Sequence, residues 1–390
     1  MAANLEQLTE ALISIRRNLH EHPELSYEEF ETTKAIKNWL EAKNITIINS
    51  SLETGVIAEI SGKHSGPIIA IRADIDALPI QEETNLPYAS KIHGRMHACG
   101  HDFHTAAIIG AAYLLKEKES SLSGTVRFIF QPAEESSDGA CKVIEAGHLR
   151  DVQAIFGMHN KPDLPVGTIG IKDGPLMAGV DRFEIEIHGV GTHAAVPDAG
   201  VDPIVASSQI VMALQTIVSR NISSSHNAVV SVTNIHSGNK WNVIPEKATL
   251  EGTVRTFQTE TREKIPALMR RIIQGVSDAL GVKTEFRFYA GPPAVQNDTS
   301  LTNLSTQVAE TMNLNIISPT PSMAGEDFSF YQQEIPGSFV FMGTSGTHEW
   351  HHPAFTVDER ALPISAEYFA LLAEKALKHF SKKREPLRNT

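Results

Sequence analysis

The stretch Met96-His-Ala-Cys-Gly-His-Asp-Phe-His104 contains three histidines, one cysteine and one aspartate within nine positions. An apolar run of mostly small residues, Thr105 to Leu115, follows it and predicts a helix. Thiolate and imidazole groups are the usual protein ligands of zinc-like ions, and a short bend before a helix can direct several side chains at one point. The stretch therefore predicts a metal site at a strand-to-helix junction, although any one of these histidines could be an ordinary core or surface residue.

Acidic or imidazole side chains also come at the ends of three predicted strands. Asp74 and Asp76 end the buried strand 68–76, Glu134 and Glu135 follow the strand 125–130, and His159 follows the strand 154–158. Ligands of open α/β sheets bind at the carboxyl edge of the strands, so a parallel arrangement would bring these groups to one edge. Two acids at i and i+2 of an extended segment point the same way, whereas the adjacent Glu134 and Glu135 should face opposite sides and do different jobs. The alternative is a set of polar strand ends with turn-forming acids.

The length of 390 residues predicts two or three domains. From about residue 178 the pattern changes, because Phe183, Ile185 and Ile187 alternate with polar residues as in a sheet with one solvated face. The predicted order of strand, helix, strand, strand, helix and strand fits a small α+β sandwich. We therefore predict an α/β fold made of residues 1–177 and 291–390, with a small domain of residues 178–290 inserted.

Composition excludes several classes of protein. The formal charge of -12 argues against nucleic acid or an anionic membrane as a partner. The first residues lack the pattern of a signal peptide, and the chain has no apolar run of about 18 residues. With only Cys99 and Cys141, a disulfide framework is excluded and a cytoplasmic location is expected. Cys141 is predicted to be a packing residue, and the basic tail 382–388 a frayed, solvated end.

Eight ordered motifs spread over almost the whole chain resemble the M20 metallopeptidase family, in its aminoacylase and hippurate-hydrolase branch. Bacterial N-acyl-L-amino acid amidohydrolases and plant auxin-conjugate hydrolases are similar to it. The motifs are Arg-Arg-x-Leu-His-x-His-Pro-Glu-Leu from Arg16, Arg-Ala-Asp-Ile-Asp-Ala-Leu-Pro from Arg72, His-Ala-Cys-Gly-His-Asp-x-His from His97, Gln-Pro-Ala-Glu-Glu from Gln131, Gly-Thr-His-Ala-Ala-x-Pro from Gly191, Asn-Val-Ile-Pro from Asn242, Gly-Glu-Asp-Phe from Gly325 and His-x-Pro-x-Phe from His351.

The resemblance implies a zinc-exopeptidase-like catalytic domain that binds two divalent ions, which could be Zn, Mn, Co or Ni. The implied ligands are Cys99, His101, Glu135, His159 and His351, with Cys99 bridging the two ions. His352 is a rival for His351, and the family pattern favours the histidine two residues before the proline. Asp74 receives no ligand role, whereas Asp76 is expected to fix a ligand imidazole.

The expected reaction is hydrolysis of N-acyl (N-acetyl or N-benzoyl type) L-amino acids. Glu134 would be the general base, and His193, in a glycine-rich loop, would stabilise the oxyanion. In similar proteins the corresponding histidine acts across a dimer interface formed by the small domain, so a homodimer or higher homo-oligomer is expected. Asn242 and Arg255 are candidates for binding the substrate carboxylate, although Arg255 could equally be a strand-end charge in solvent.

Two rival functions remain at this stage. A dipeptidase or carboxypeptidase would use the same ions on a peptide. A non-catalytic metal-binding protein would be expected to lack the acid beside the ligand, and Glu134 is present.

Overall fold

The computed structural model describes residues 2–384, with side chains described for residues 6–382. The helices are α1 (Ala2–Glu21), α2 (Phe30–Glu41), α3 (His101–Glu117), α4 (Gly139–Glu145), α5 (Pro203–Thr216), α6 (Thr259–Leu280), α7 (Thr299–Thr311), α8 (Phe328–Glu334) and α9 (Ala361–Arg384). The strands are β1 (Thr46–Ile48), β2 (Val56–Ser61), β3 (His64–Asp74), β4 (Ser123–Gln131), β5 (Val152–Lys161), β6 (Thr168–Gly170), β7 (Gly174–Met177), β8 (Gly179–His188), β9 (Thr192–His193), β10 (Ala228–Ser237), β11 (Val243–Ile244), β12 (Lys247–Thr256), β13 (Lys283–Ala290), β14 (Val295–Asn297), β15 (Asn315–Ile317) and β16 (Gly337–Gly343).

The chain divides into two compact units. The first contains the residues up to Leu176, Gln296–Thr320 and the residues from Asp327 onwards, and the second contains Met177–Val295 and Pro321–Glu326. The inserted domain predicted from the sequence ended at residue 290 and did not include residues 321–326. This short segment joins the second unit because the amide of Ala178 donates hydrogen bonds to the carbonyls of Ser322 and Ala324. A contact of this kind between distant loops leaves no periodic pattern in the sequence.

A mixed sheet forms the centre of the first unit, with the strand order β1-β2-β4-β3-β5-β16-β6-β15. The adjacent strands β4, β3, β5 and β16 are parallel to one another. Ile69, Ala70 and Ile71 of β3 are fully buried, as expected for a central strand covered on both faces. Helices α3 and α9 pack on β3 and on each other, and α4 and α8 pack on β4 and β5, respectively. The parallel strands therefore end at one edge of the sheet.

The second unit is an antiparallel sheet covered by two helices. Its strand order is β10-β12-β8-β13, and α5 and α6 pack against it. Phe183, Ile185 and Ile187 are buried under the helices, so the predicted alternation is confirmed. Asp202 begins α5 by accepting hydrogen bonds from the amides of Ile204 and Val205, which is typical N-terminal capping.

Two further features are the apolar character of the helices and the end of the chain. Among residues 2–384, no helix combines the length and apolar character needed to cross a bilayer. The predicted basic tail is helical within α9 as far as Arg384, and residues 385–390 lie outside the described part of the chain.

Candidate active site

The bend that precedes α3 is shaped by a glycine. Gly100 has a φ of 86°, in the left-handed region, and a Cβ at this position would lie 2.4 Å from Asn160 Nδ2. Only glycine combines this conformation with so close an approach. The bend places Cys99 on one side of Gly100 and starts the helix at His101, four residues earlier than the predicted run of small residues.

His101 is fully buried and its ring is oriented by Asp76. Its Nδ1 lies 2.9 Å from the carbonyl oxygen of Asp76 and 3.2 Å from the Asp76 carboxylate. A carbonyl oxygen only accepts, so Nδ1 carries a hydrogen, and Nε2 is the nitrogen that presents a lone pair when the ring is neutral. This Nε2 is buried and has no hydrogen-bond partner among the described residues. Asp76 thus has the position expected for an acid that fixes an imidazole.

His159 presents its ring in the same way. Its Nδ1 lies 2.9 Å from the carbonyl oxygen of Asn160, and its Nε2 lies 3.4 Å from Cys99 Sγ. Strand β5 continues to Lys161, so His159 lies inside the strand and not just after it. In both imidazoles a backbone carbonyl holds Nδ1, and Nε2 is the nitrogen on the side of the Cys99 thiol.

The structure brings the predicted ligands together in two groups that share Cys99. One group is Cys99, His101 and His159, and the other is Cys99, Glu135 and His351; within each group the donor atoms lie within 4.8 Å of one another. His351 Nε2 is 3.4 Å from Glu135 Oε1. Side chains from four distant segments thus meet at the carboxyl edge of the parallel strands.

Glu134 and Glu135 lie in a turn and not on an extended strand. Strand β4 ends at Gln131, and Ala133 has a φ of 55°. Both carboxylates reach His101, since Glu134 Oε2 and Glu135 Oε1 lie 4.0 and 3.9 Å from its Nε2. The expectation that adjacent glutamates face opposite sides was therefore wrong, because it assumed strand geometry beyond the end of the strand.

The fully buried side chain of Glu29 stabilises this turn through hydrogen bonds. Glu29 Oε1 accepts a hydrogen bond of 2.8 Å from the amide of Ala133, and Oε2 accepts one of 2.8 Å from Thr54 Oγ1. The amide of Glu135 donates to Asp76 Oδ2 at 3.0 Å. Hydrogen bonds on both sides fix the turn that carries the two glutamates.

Of the two adjacent histidines, His351 is the one that lies beside Cys99 and Glu135. Its backbone has a φ of 66°, and its amide donates to the carbonyl of Ala98 at 2.9 Å. His352 stacks on His348 and accepts a hydrogen bond from the amide of Ala354. The geometry thus supports the sequence preference for His351.

Three candidate residues lie in the second unit. His193 is exposed and pairs with Val243 in the two-stranded ribbon of β9 and β11. The carbonyl of Asn242 accepts a hydrogen bond from the amide of Ala194, which places Asn242 next to His193. Arg255, near the end of β12, donates to the carbonyl of Met323 at 3.4 Å. Their roles stay predictions.

Four carboxyl groups, those of Asp74, Asp76, Glu134 and Glu135, lie within 4.0 Å of the His101 ring nitrogens. Burial and the neighbouring Glu135 carboxylate raise the pKa of the Cys99 thiol well above its ordinary value. Burial would also raise the pKa of Asp74, but His101, His104 and Arg72 hold it well below the usual range. A thiolate at position 99 therefore needs a nearby cation to be stable.

Sequence reasoning missed several residues that support the site. His104 donates from Nδ1 to Asp74 at 2.6 Å and accepts from the amide of Asn160 at 2.8 Å, so it is a fully satisfied core residue. Asp327 accepts from Arg72 and Gln131 at 2.7 Å each, and its amide donates to Glu134 Oε1 at 3.4 Å. The Gly-Glu-Asp-Phe motif was the only signal that pointed to Asp327.

Comparison with known proteins agrees with the resemblance. The profile of peptidase family M20/M25/M40 matches residues 70–375. The N-acetylcysteine deacetylase of Bacillus subtilis (strain 168) is 60% identical over 363 residues, 93% of this chain and 96% of the relative. The IAA-amino acid hydrolase ILR1-like 5 of Arabidopsis thaliana is 40% identical over 389 residues, 96% of this chain and 88% of the relative.

A solved structure extends the match to three dimensions. The crystal structure of the Bacillus subtilis YxeP protein, described as a dinuclear metal binding peptidase from the M20 family, superposes with a TM-score of 0.88 at 55% sequence identity. The match covers 96% of this chain and 99% of that one. The fold class predicted from the sequence is thus confirmed, and the chain belongs to peptidase family M20/M25/M40.

Proposed function

We propose that this protein is a metal-dependent amidohydrolase that cleaves the amide bond of N-acyl L-amino acids to give a carboxylic acid and a free amino acid. The relatives named N-acetylcysteine deacetylase and IAA-amino acid hydrolase support this reaction class. The single observation that carries the proposal is the convergence of a thiol, three imidazoles and a carboxylate on one edge of the sheet.

The donors fit a pair of divalent ions. His101 Nε2 and Glu135 Oε1 are buried and have no hydrogen-bond partner among the described residues, although buried polar atoms are normally satisfied. Cys99, His101 and His159 would hold one ion, and Cys99, Glu135 and His351 the other. Zn, Mn, Co and Ni all suit imidazole ligands, and a thiolate favours the softer of them. When bound, such ions polarise a substrate carbonyl and lower the pKa of water towards about 7.

Glu134 is the proposed general base. Its Oε1 is held by the amide of Asp327, while its Oε2 lies at the edge of the donor groups. In the proposed reaction Glu134 takes a proton from the attacking water as the new C–O bond forms. It then delivers that proton to the leaving nitrogen as the C–N bond breaks.

The other residues have positioning and binding roles in the proposal. Asp76 keeps His101 in the tautomer that leaves Nε2 free to donate its lone pair. His193 would donate a hydrogen bond to the developing oxyanion, and Asn242 and Arg255 would bind the substrate carboxylate. The second unit carries these three side chains.

A homodimer formed through the second unit and a cytoplasmic location complete the proposal. Ile204, Val205 and Met212 of α5 are 44%, 47% and 72% exposed, and apolar side chains grouped on one helix face favour a protein interface. Light scattering of the purified protein would give the oligomeric state, and Met212→Lys should shift a dimer to monomer. The free thiols of Cys99 and Cys141 are compatible with a reducing compartment.

A peptidase is the second candidate function. The YxeP protein is described as a peptidase, and the same ions could act on a dipeptide or on the end of a longer peptide. The two functions differ in whether the group on the nitrogen is a simple acyl group or an aminoacyl group. A panel of N-acetyl-L-cysteine, N-acetyl-L-methionine, hippurate and dipeptides separates them.

The test is release of free amino acid by the chelator-treated protein after addition of Mn²⁺, Co²⁺, Ni²⁺ or Zn²⁺. We expect Glu134→Gln to lower kcat by about 10²–10⁴-fold, the usual contribution of a general base. Glu53→Gln, at an exposed site of the same unit, is the matched control and should leave kcat unchanged. Equal rates for wild type and Glu134→Gln on every substrate would show that the proposed catalysis is wrong.

A further inference from the structure

Trp350 directly precedes His351, a member of one donor group, and contacts His159, a member of the other. Its indole ring is stacked at a tilt on His159, with 4.4 Å between the ring centroids. Its Nε1 donates a hydrogen bond to the carbonyl oxygen of Asn160 at 3.1 Å. Trp350 thus touches strand β5 through both its ring face and its N–H group.

The same carbonyl oxygen orients His159. Asn160 O accepts from His159 Nδ1 at 2.9 Å as well as from the indole N–H. The Asn160 side chain in turn donates to the carbonyl of Cys99 at 2.6 Å. The end of β5, the Cys99 bend and the loop of Trp350 are therefore joined by hydrogen bonds at one residue.

The side chain of His351 has little support of its own. It is 52% exposed and its backbone is in the left-handed region, so its position depends on the neighbouring chain. Its amide is tied to Ala98, and Trp350 ties the preceding residue to β5. Lys161 Nζ lies 4.8 Å from the centroid of the indole ring and adds a cation–π contact.

We propose that Trp350 is a positioning residue that couples the two donor groups, by holding His159 and His351 in a fixed relation on either side of Cys99. This inference rests on the ligand assignment of the proposed function. Residues that orient metal ligands in this way change metal affinity by about 10–100-fold when they are replaced. The ion held by Cys99, Glu135 and His351 should be the more sensitive one, because the loop of His351 loses its tie to β5.

The test compares Trp350→Phe, which keeps an aromatic face but removes the N–H, with Trp350→Leu, which removes both. Trp241→Phe, in the second unit, is the matched control. Chelator-treated proteins are titrated with Mn²⁺ in a calorimeter, and melting of the same ion-free proteins reports their folding. The Co²⁺-loaded proteins are compared by visible absorption, which responds to ligand geometry.

We expect Trp241→Phe to bind two ions, each with the affinity that it has for the wild type. In Trp350→Leu one of the two ions, assigned to Cys99, Glu135 and His351, should bind about 10–100-fold less tightly than in the wild type, with an altered Co²⁺ spectrum, and Trp350→Phe should fall between. If both Trp350 variants are folded and bind two ions as the wild type does, the coupling role is overturned and the ligand assignment stands. If the folded wild type binds no ion, the proposed function is overturned, and this inference with it.

Discussion

Replacing Glu29 by glutamine tests how the turn that carries Glu134 and Glu135 is held. Glu29 accepts hydrogen bonds from the Ala133 amide and from Thr54 Oγ1. Burial raises the pKa of Glu29 to about 7, and the nearby Asp76 carboxylate adds to the effect. The amide oxygen of glutamine can still accept from Ala133, but glutamine carries no titrating proton.

The magnitude follows from the difference between the folded and unfolded pKa values. The unfolded chain releases this proton near pH 4.5, whereas the folded protein keeps it up to about pH 7. The folded state therefore binds more protons in this window, so the stabilisation is complete below about pH 4.5 and is lost as the pH rises through 7. At about 1.4 kcal/mol for each pH unit, the loss is about 3 kcal/mol.

The measurement is the free energy of urea unfolding of chelator-treated wild type and Glu29→Gln, taken at intervals between pH 5 and pH 8. Other groups titrate in both proteins, so the difference between the two curves isolates Glu29. We expect the wild type to lose up to about 3 kcal/mol relative to the variant over this range. Glu31→Gln, at a side chain that is 75% exposed, should follow the wild type. Parallel curves for wild type and Glu29→Gln would refute the reasoning.

Three further substitutions probe the polar support of the site, the core and an exposed helix position. Asp327→Ala leaves the buried Arg72 guanidinium with fewer acceptors and should lower the free energy of unfolding by about 3–5 kcal/mol, whereas an unchanged urea midpoint would contradict this. Leu12→Ala empties a fully buried position and should cost about 2–5 kcal/mol by the same measurement; a loss below 1 kcal/mol would mean that the core collapses around the gap. Gly275→Ala, in the exposed interior of α6 with no atom within 4 Å of the new Cβ, should stabilise the protein by about 0.8–1 kcal/mol, and a lower melting temperature would be inconsistent with it.

Strong periodic or repeated patterns made much of the fold predictable. The continuous apolar run that became β3 required cover on both faces, and the alternation at Phe183, Ile185 and Ile187 required one solvated face. The recurrence of acids and histidines at strand ends indicated a common edge, and the structure has parallel β4, β3 and β5 side by side. These features depend on local sequence and on the rules of sheet topology.

What the sequence could not reveal depends on contacts between distant segments. The turn at Ala133 is stabilised by Glu29, about a hundred positions away, so nothing local indicated that Glu134 and Glu135 would share one side. The same holds for Trp350, whose partner Asn160 lies 190 residues away. Assigning His351 and not His352 from the sequence needed the family pattern, because two adjacent histidines give no signal of their own.

The carbonyl oxygens that fix Nδ1 of His101 and His159 have a consequence for kinetics. Both rings already have the orientation that an arriving cation requires. Loading then involves no rotamer search by these rings, so we expect the rate of uptake to follow how readily each ion sheds its own water.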